Sequence, residues 1–299
     1  MRLLNTSTLA VEEFHGSDIP EYAILSHTWE HEEVTLQDLR SGKATSMHGY
    51  AKLTKCCEQA ARDGYTYCWI DTCCIDKTSS AELSEAINSM YAWYRNSHIC
   101  YAYLTDCEGE TAAFVEGYRG FLESRWWTRG WTLQELIAPK SVEFYDADWT
   151  LVGTKVSLQE DITALTGIDE DVLRHADPLS HNVAVRMSWA ASRQTTRIED
   201  RAYCLMGLFG VNMPLLYGEG NRAFIRLQEE IMRVTEDYTL FIWFRGNSSI
   251  PDSTSRYGKI PHFGGYDPPT LTSRGLRITL PLCNIGATAR ASFSSARRP

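Results

Sequence analysis

A chain of 299 residues with 43% hydrophobic and 22% charged side chains has the make-up of a globular protein with room for a sizeable core. Its formal charge of −9 argues against a nucleic-acid backbone as the partner, and no apolar run reaches the roughly 18 residues that a membrane span needs. The opening stretch, MRLLNTSTLAVEEFHG, carries early acids and no long apolar centre. It does not read as a secretory leader, so a cytoplasmic location is expected.

In chain order, YAILS (22–26) is an apolar run expected as a buried strand. YAKLTKCCEQAARDG (50–64) has helical spacing, with Leu53, Cys56, Cys57 and Ala60 on one face and Gly64 as the stop. YCWID (67–71) reads as a second strand. SSAELSEAINSMYAWYRNS (79–97) reads as a helix opened by a capping box at Ser79 and Glu82, with Trp93 and Tyr94 in the core. ICYAYL (99–104) is a third strand, RWWTRGWTLQELIAP (125–139) a helix ended by Pro139, and SVEFYD (141–146) a fourth strand. This alternation predicts an α/β domain over 1–150, a mostly parallel sheet with helices on both faces. Four further helices (157–167, 183–192, 198–211, 221–238) and a late strand, TLFIWF (239–244), make residues 151–245 a helical extension packed on the core. The remainder, 246–299, reads as a mostly irregular tail in which LRITLPL (276–282) alone is strand-like.

Nine cysteines include the doublets Cys56–Cys57 and Cys73–Cys74 but no C-x-x-C pair. The odd count and the doublets suit buried reduced thiols better than disulfides or a metal centre. No metal and no resident cofactor are expected.

Ligands of open parallel sheets sit beyond the carboxyl ends of the strands. Ser26, His27 and Trp29 follow the first strand, Asp71 closes the second with Asp76 in the next loop, and Thr105 and Asp106 follow the third. Such groups suit a ligand with a flat base and sugar hydroxyls, although Trp29 could equally pack on the sheet edge and the aspartates form caps and turns. Neither G-x-G-x-x-G nor a Walker lysine motif is present. On one continuous helix, Leu133, Leu136 and Ile137 share a side while Trp127, Trp131 and Glu135 share the opposite one. A glutamate beside indoles is partly desolvated and borders a cavity near Trp29; the plain alternative is a surface carboxylate paired with Arg125 or Arg129. A Cys73–His27 nucleophile pair lacks an orienting third group. RQTTRIEDRAY (193–203) reads as an ion-pair network around Arg193, Arg197 and Arg201, with phosphate or partner contact as the alternative. YGEGN (217–221) reads as a turn capped by Asn221, or as an anion cradle.

YAILSHTWE, WIDTCCIDKTSSAELSEAINSMYAWYRNSHICYAYL and RWWTRGWTLQELIAP resemble the fungal heterokaryon-incompatibility (HET) domain. The later RMSWAASRQTTRIEDRAYCLMGLFGVNMPLLYGEGNRAFIRLQEEI resembles the segment that commonly follows it, so the resemblance covers residues 21–244. That family is associated with programmed cell death on non-self recognition in filamentous fungi. The first half is more distantly similar to the Toll/interleukin-1 receptor (TIR) domain, a flavodoxin-like fold. In plant TIR domains a tryptophan and a Glu-Leu pair end a comparable segment, and the glutamate is catalytic in NAD cleavage; GWTLQEL matches at Trp131, Glu135 and Leu136. One departure is Glu30, where HET domains often carry glycine.

The resemblance implies a cytoplasmic cell-death effector that cleaves the nicotinamide–ribose bond of NAD. Glu135 would be catalytic, and Ser26, His27, Trp29, Asp71 and Trp131 would bind the substrate. Nicotinamide leaves as a neutral ring, so one carboxylate that stabilises a cationic ribose suffices where ordinary glycoside hydrolysis uses two. Self-association and an upstream activating protein are implied. The alternatives are a non-enzymatic death-signalling module acting by oligomerisation and a hydrolase of another nucleotide.

Overall fold

The run from Tyr22 to His27 is buried at every position, and it forms the centre of a seven-stranded sheet. A strand covered on both faces has no solvent side, which is why its sequence shows no alternation. The computed structural model describes residues 1–108, 116–241, 270–272 and 275–277. Its strands are β1 (Arg2–Asn5), β2 (Val11–Glu13), β3 (Tyr22–His27), β4 (Tyr67–Trp69), β5 (Ile99–Tyr103), β6 (Val142–Tyr145) and β7 (Leu151–Thr154), in the spatial order β2-β1-β4-β3-β5-β6-β7. The four strands read from the sequence lie side by side as β4-β3-β5-β6, all parallel. The sheet as a whole is mixed rather than mostly parallel, because β1 and β2 on one side and β7 on the other add antiparallel pairs. Residue 150 is therefore followed at once by a strand of the same sheet.

The helices of the sheet half are α1 (Leu36–Ser41), α2 (Tyr50–Arg62), α3 (Asp71–Cys74), α4 (Ser80–Asn96), α5 (Glu116–Glu123) and α6 (Thr132–Ile137). Along α2, Leu53, Cys56, Cys57 and Ala60 are buried, and the chain leaves through Gly64 at φ +89°. The capping box of α4 is half formed. Ser79 accepts the Glu82 N–H, whereas the Glu82 carboxylate turns to the Asp76 N–H and to Arg2. Eight cysteines of the described residues are buried.

Beyond β7 come α7 (Gln159–Thr166), α8 (Glu170–Leu173), α9 (Val183–Ser188), α10 (Asp200–Tyr203), α11 (Met206–Phe209) and α12 (Arg222–Val234). The segment expected as one helix over 198–211 is two short ones, which tuck Tyr203, Met206, Leu208 and Phe209 into the core. Gly207 is required there, since a Cβ would meet the Tyr91 ring within 2.3 Å. The late strand expected at 239–244 is not a strand in its described part: Tyr238–Phe241 is a 3₁₀ turn, and 242–244 lie outside the described residues. The described residues from 1 to 241 belong to one compact unit. In the tail, β8 (Thr270–Thr272) and β9 (Gly275–Arg277) pair antiparallel, the latter meeting the start of the run expected at 276–282.

Lys155, directly after β7, is 1% exposed and donates to the carbonyls of Leu136 (3.2 Å) and Pro139 (2.6 Å) at the C-terminal end of α6. Burial pushes its ammonium pKa down to about 8. No helix among the described residues is long and apolar enough to cross a membrane.

Candidate functional site

The end of β3 divides its work. Ser26 is fully buried; its hydroxyl donates to the Glu135 carboxylate at 2.5 Å and accepts the Trp126 indole N–H at 2.8 Å. His27 is also buried and lies 2.9 Å through Nε2 from Asp71 Oδ1. Trp29 has left the sheet and is 43% exposed, yet its indole N–H donates to the other oxygen of Asp71 at 2.9 Å. Asp71 belongs to the first turn of α3 rather than to a strand end, and Lys77 Nζ lies 3.8 Å from it and 3.6 Å over the Trp29 ring. Burial opposes the charge of Asp71, but Lys77 with the hydrogen bonds of His27 and Trp29 outweighs it and holds the carboxyl well below its usual range. Asp71 thus holds protein groups on both oxygens. Asp76 accepts from Thr78 and Gln37 as a turn former. Cys73 is buried against the Ile70 carbonyl with its thiol pKa raised well above normal by the Cys74 thiol and by burial, which leaves it a poor nucleophile.

The tryptophan segment is not one helix. Ser124 caps a 3₁₀ turn over Arg125–Thr128, Arg129 is extended (φ −79°, ψ 136°), and α6 begins only after Trp131. The extended link makes a bridge to the far half of the chain, where the Gly130 N–H donates to the Gln194 carbonyl (2.7 Å) and the Gln194 N–H to the Thr128 carbonyl (2.6 Å). Glycine is needed at 130, since a Cβ would lie 2.4 Å from Thr195 Cγ2. The break separates residues expected on one face. Trp126 and Trp127 drop into the core against Phe121 and Phe144, while Trp131 stays half-buried. Glu135, one helical turn past Trp131, is 7% exposed and faces Ser26 and Tyr94. Burial raises its pKa to about 7, with the Ser26 hydrogen bond opposing and the charge of Asp71 adding.

Above α6 lies a cavity of about 360 Å³. Thr28, Trp29, Arg125, Thr128, Arg129 and Trp131 line it from the sheet half; Gln194, Thr195, Thr196 and Asp200 line it from the extension. Of the residues expected at a site, Trp29 and Trp131 reach this cavity, whereas Ser26, His27, Asp71 and Glu135 are not among its lining residues. Glu135, expected to border a cavity near Trp29, is not among the lining residues of this one; its carboxylate meets the Ser26 hydroxyl instead. Arg125 is held by Thr28, Thr105 and Glu30. Asp200 accepts from Tyr217 (3.0 Å) and Trp131 (3.4 Å), and burial raises its carboxyl pKa.

The cationic stretch expected as an ion-pair network behaves otherwise. Arg193 is buried and donates to the Arg129 carbonyl and the Thr132 hydroxyl, and Arg197 stands 4.4 Å over the Tyr217 ring. Among the described residues, neither these two nor Arg201 makes an ion pair. The glycine loop at 217–221 does cradle an anion, the protein's own: Glu199 accepts the N–H groups of Gly218 (2.8 Å) and Gly220 (3.0 Å), and Asn221 makes no side-chain cap. Asp169, Asp171 and His181 gather three metal-ligating atoms within 4.8 Å, but His181 Nε2 is already 3.0 Å from Asp169 and its Nδ1 3.3 Å from Ser180, which accounts for the group without an ion.

A family model described as heterokaryon incompatibility protein (HET) matches residues 22–117. The vegetative incompatibility protein HET-E-1 of Podospora anserina is 49% identical over 219 residues, 71% of this chain. The chain is a HET domain protein. It spans 16% of the length of that relative. A second model, a domain of unknown function (DUF8212), matches residues 222–262, and no solved structure matches the chain. The HET model thus covers β3 to β5 with Ser26, His27, Trp29 and Asp71, while Arg125, Arg129, Trp131, Glu135 and the extension's share of the cavity lie between the two models.

Proposed function

We propose that this HET domain protein is a cell-death effector of non-self recognition, and that it cleaves the nicotinamide–ribose bond of NAD once self-associated. The observation that carries the reading is the pairing of a buried carboxylate, Glu135, held near pKa 7, with a cavity one helical turn away whose lining includes two arginines and two indoles. Two features support it. The parallel strands follow the order second-first-third-fourth, which is how a flavodoxin-like sheet begins, and the cavity lies outside the carboxyl end of β3, where such sheets bind ligands.

The chemistry asks little of the protein. As nicotinamide departs, the ribose carbon gains positive charge, and an anionic carboxylate stabilises it. Glu135 must be ionised for this and must reach the ribose past Trp131, a movement that self-association would supply. Because the carboxyl is protonated below about 7, turnover should rise as pH climbs through that value.

The test is NAD consumption by purified chain, dilute and forced to associate, for wild type and Glu135→Gln. The expected result is a loss of about 10²-fold or more in rate for the glutamine variant. A folded variant that consumes NAD as fast as wild type overturns the reading. One observation favours the rival, a non-enzymatic module that signals by oligomerisation: Glu135 lies off the cavity lining with a donor already on its carboxylate. Cell killing by Glu135→Gln at the wild-type rate would select that rival.

A further inference from the structure

We infer that the cavity is a phosphate-binding site shared between the sheet half and the extension, with Arg129 as its main cation and the Gln194–Thr196 stretch as its second wall. The occupant has linked phosphates and an aromatic base. This deepens the nucleotide reading and rests on it for the class of occupant; the cation and the wall are argued from the geometry alone.

Arg129 is the anomaly. It is half-buried, yet among the described residues its side chain forms no ion pair and donates no hydrogen bond; its guanidinium carbon is 5.9 Å from the Trp29 ring. Other buried or partly buried arginines have acceptors: Arg226 pairs with Glu219, Arg186 donates to the His181 and Leu208 carbonyls, and Arg193 donates to the Arg129 carbonyl and the Thr132 hydroxyl. The charge of Arg129 reaches Glu135 only at a distance, where it helps hold that carboxyl down, and a half-buried guanidinium with no anion in contact is a site for one brought from outside. Arg125 lines the same cavity with its charge partly met by Glu30, and Lys77 adds a third cation beside Trp29. Trp29 contributes a ring whose edge is tied down through Asp71 and one face of which is covered by Lys77, so a flat base would stack on the face away from that lysine. The volume of about 360 Å³ suits a ligand of that size, partly enclosed.

The second wall is built in by Gly130. The two short backbone bonds between 128–130 and Gln194 hold Thr195 and Thr196 across the cavity from Arg129, with contact so close that position 130 tolerates no side chain. The Thr195 hydroxyl already donates to the Arg197 carbonyl, so an anion that bridges Arg129 and the Thr196 hydroxyl favours the docked extension. By linkage, the docked extension favours the anion.

The experiment is calorimetric titration of the full 299-residue chain with ADP, which carries linked phosphates and a base but no nicotinamide bond to cleave. Wild type should bind, more weakly as salt rises. Arg129→Gln should weaken binding by about tenfold or more and Thr196→Val by a few-fold, each amounting to loss of a charged or neutral hydrogen-bonding partner. Arg233→Gln, on the outer side of α12, should change nothing. Gly130→Ala should match Arg129→Gln if it folds; if it does not, the other two variants decide. Absence of ADP binding by wild type, or binding indifferent to both Arg129→Gln and Thr196→Val, overturns the inference. NAD consumption is followed in parallel, so the two ideas part company: ADP binding through Arg129 without NAD turnover upholds the site and rejects cleavage, whereas NAD turnover untouched by Arg129→Gln does the reverse.

Discussion

Glu135 on α6 and Glu199 beside the 217–221 loop expose similarly little surface, 7% and 6%, but the Glu135 carboxyl lies deep in the core whereas that of Glu199 sits in a shallow loop, and their pKa values move in opposite directions. Glu199 receives backbone N–H groups, its own and those of Gly218 and Gly220, and these hold it below the usual carboxylate range. Glu135 receives the Ser26 hydroxyl in a pocket of aromatic and aliphatic side chains with the charge of Asp71 nearby, and burial carries it up to about 7. The depth of a carboxylate and the count and polarity of its donors together fix its charge. The loop glutamate is an anchor whose charge is fully engaged, and the α6 glutamate is a group whose ionisation is still negotiable near neutral pH.

The largest expected contrast is in the pH dependence of stability. Between 4.5 and about 7 the folded chain keeps a proton on Glu135 that the unfolded chain has released. The native state then binds more protons, so the stability owed to this group is whole below 4.5 and is lost as pH rises to 7, roughly 3 kcal/mol in all. Urea unfolding of wild type and Glu135→Gln from pH 4.5 to 8 isolates it. The difference between the two should change by about that amount across the range; a constant difference would mean that Glu135 is ionised throughout and the contrast with Glu199 is void. Next in size, Glu199→Ala strips the acceptor from two glycine N–H groups and should lower the melting temperature by about 5 °C or more, with Glu199→Gln recovering part of the loss through its amide oxygen. Equal melting temperatures for Glu199→Ala and wild type would demote the loop carboxylate to decoration. The smallest effect is expected of Ser26→Ala, which removes the hydroxyl donor and should move the Glu135 transition upward by about one pH unit. A downward move would show that the serine accepts rather than donates.

Three of the four central strands could be read because a strand covered on both faces must be apolar throughout, and YAILS, YCW and ICYAY nearly are. The edges could not. VEE in β2 and LVGT in β7 are three and four residues long with partly exposed faces, so neither run nor alternation marks them. The tryptophan segment misled for a different reason. Helical spacing was a sound guide from Thr132 onward, but the break upstream is imposed by a partner 64 residues away, Gln194, and local periodicity carries no trace of it. Of the site, Trp29 is legible as an aromatic group after a strand end and Trp131 as an indole on the helical face of Glu135. Arg125 and Arg129 look from the sequence like partners for Glu135, and the threonines of RQTTR are hidden in a charged cluster between two helices that the sequence explains by ion pairs. The bridge at Gly130 was the signal that could have joined them, and a lone glycine between Arg129 and Trp131 does not announce a tertiary contact.

Lys155 decides where this protein can be divided. A fragment ending at residue 150 would keep α6 but lose the cation that meets the Leu136 and Pro139 carbonyls, so the helix that carries Glu135 would end in unpaired acceptors facing the core. The same cut would strip β7 from β6 and bare an edge strand. Bare edges recruit one another. Clumping of such a fragment would then be the sheet repairing its own margin, and it would mimic a death-signalling assembly without sharing a single contact with one.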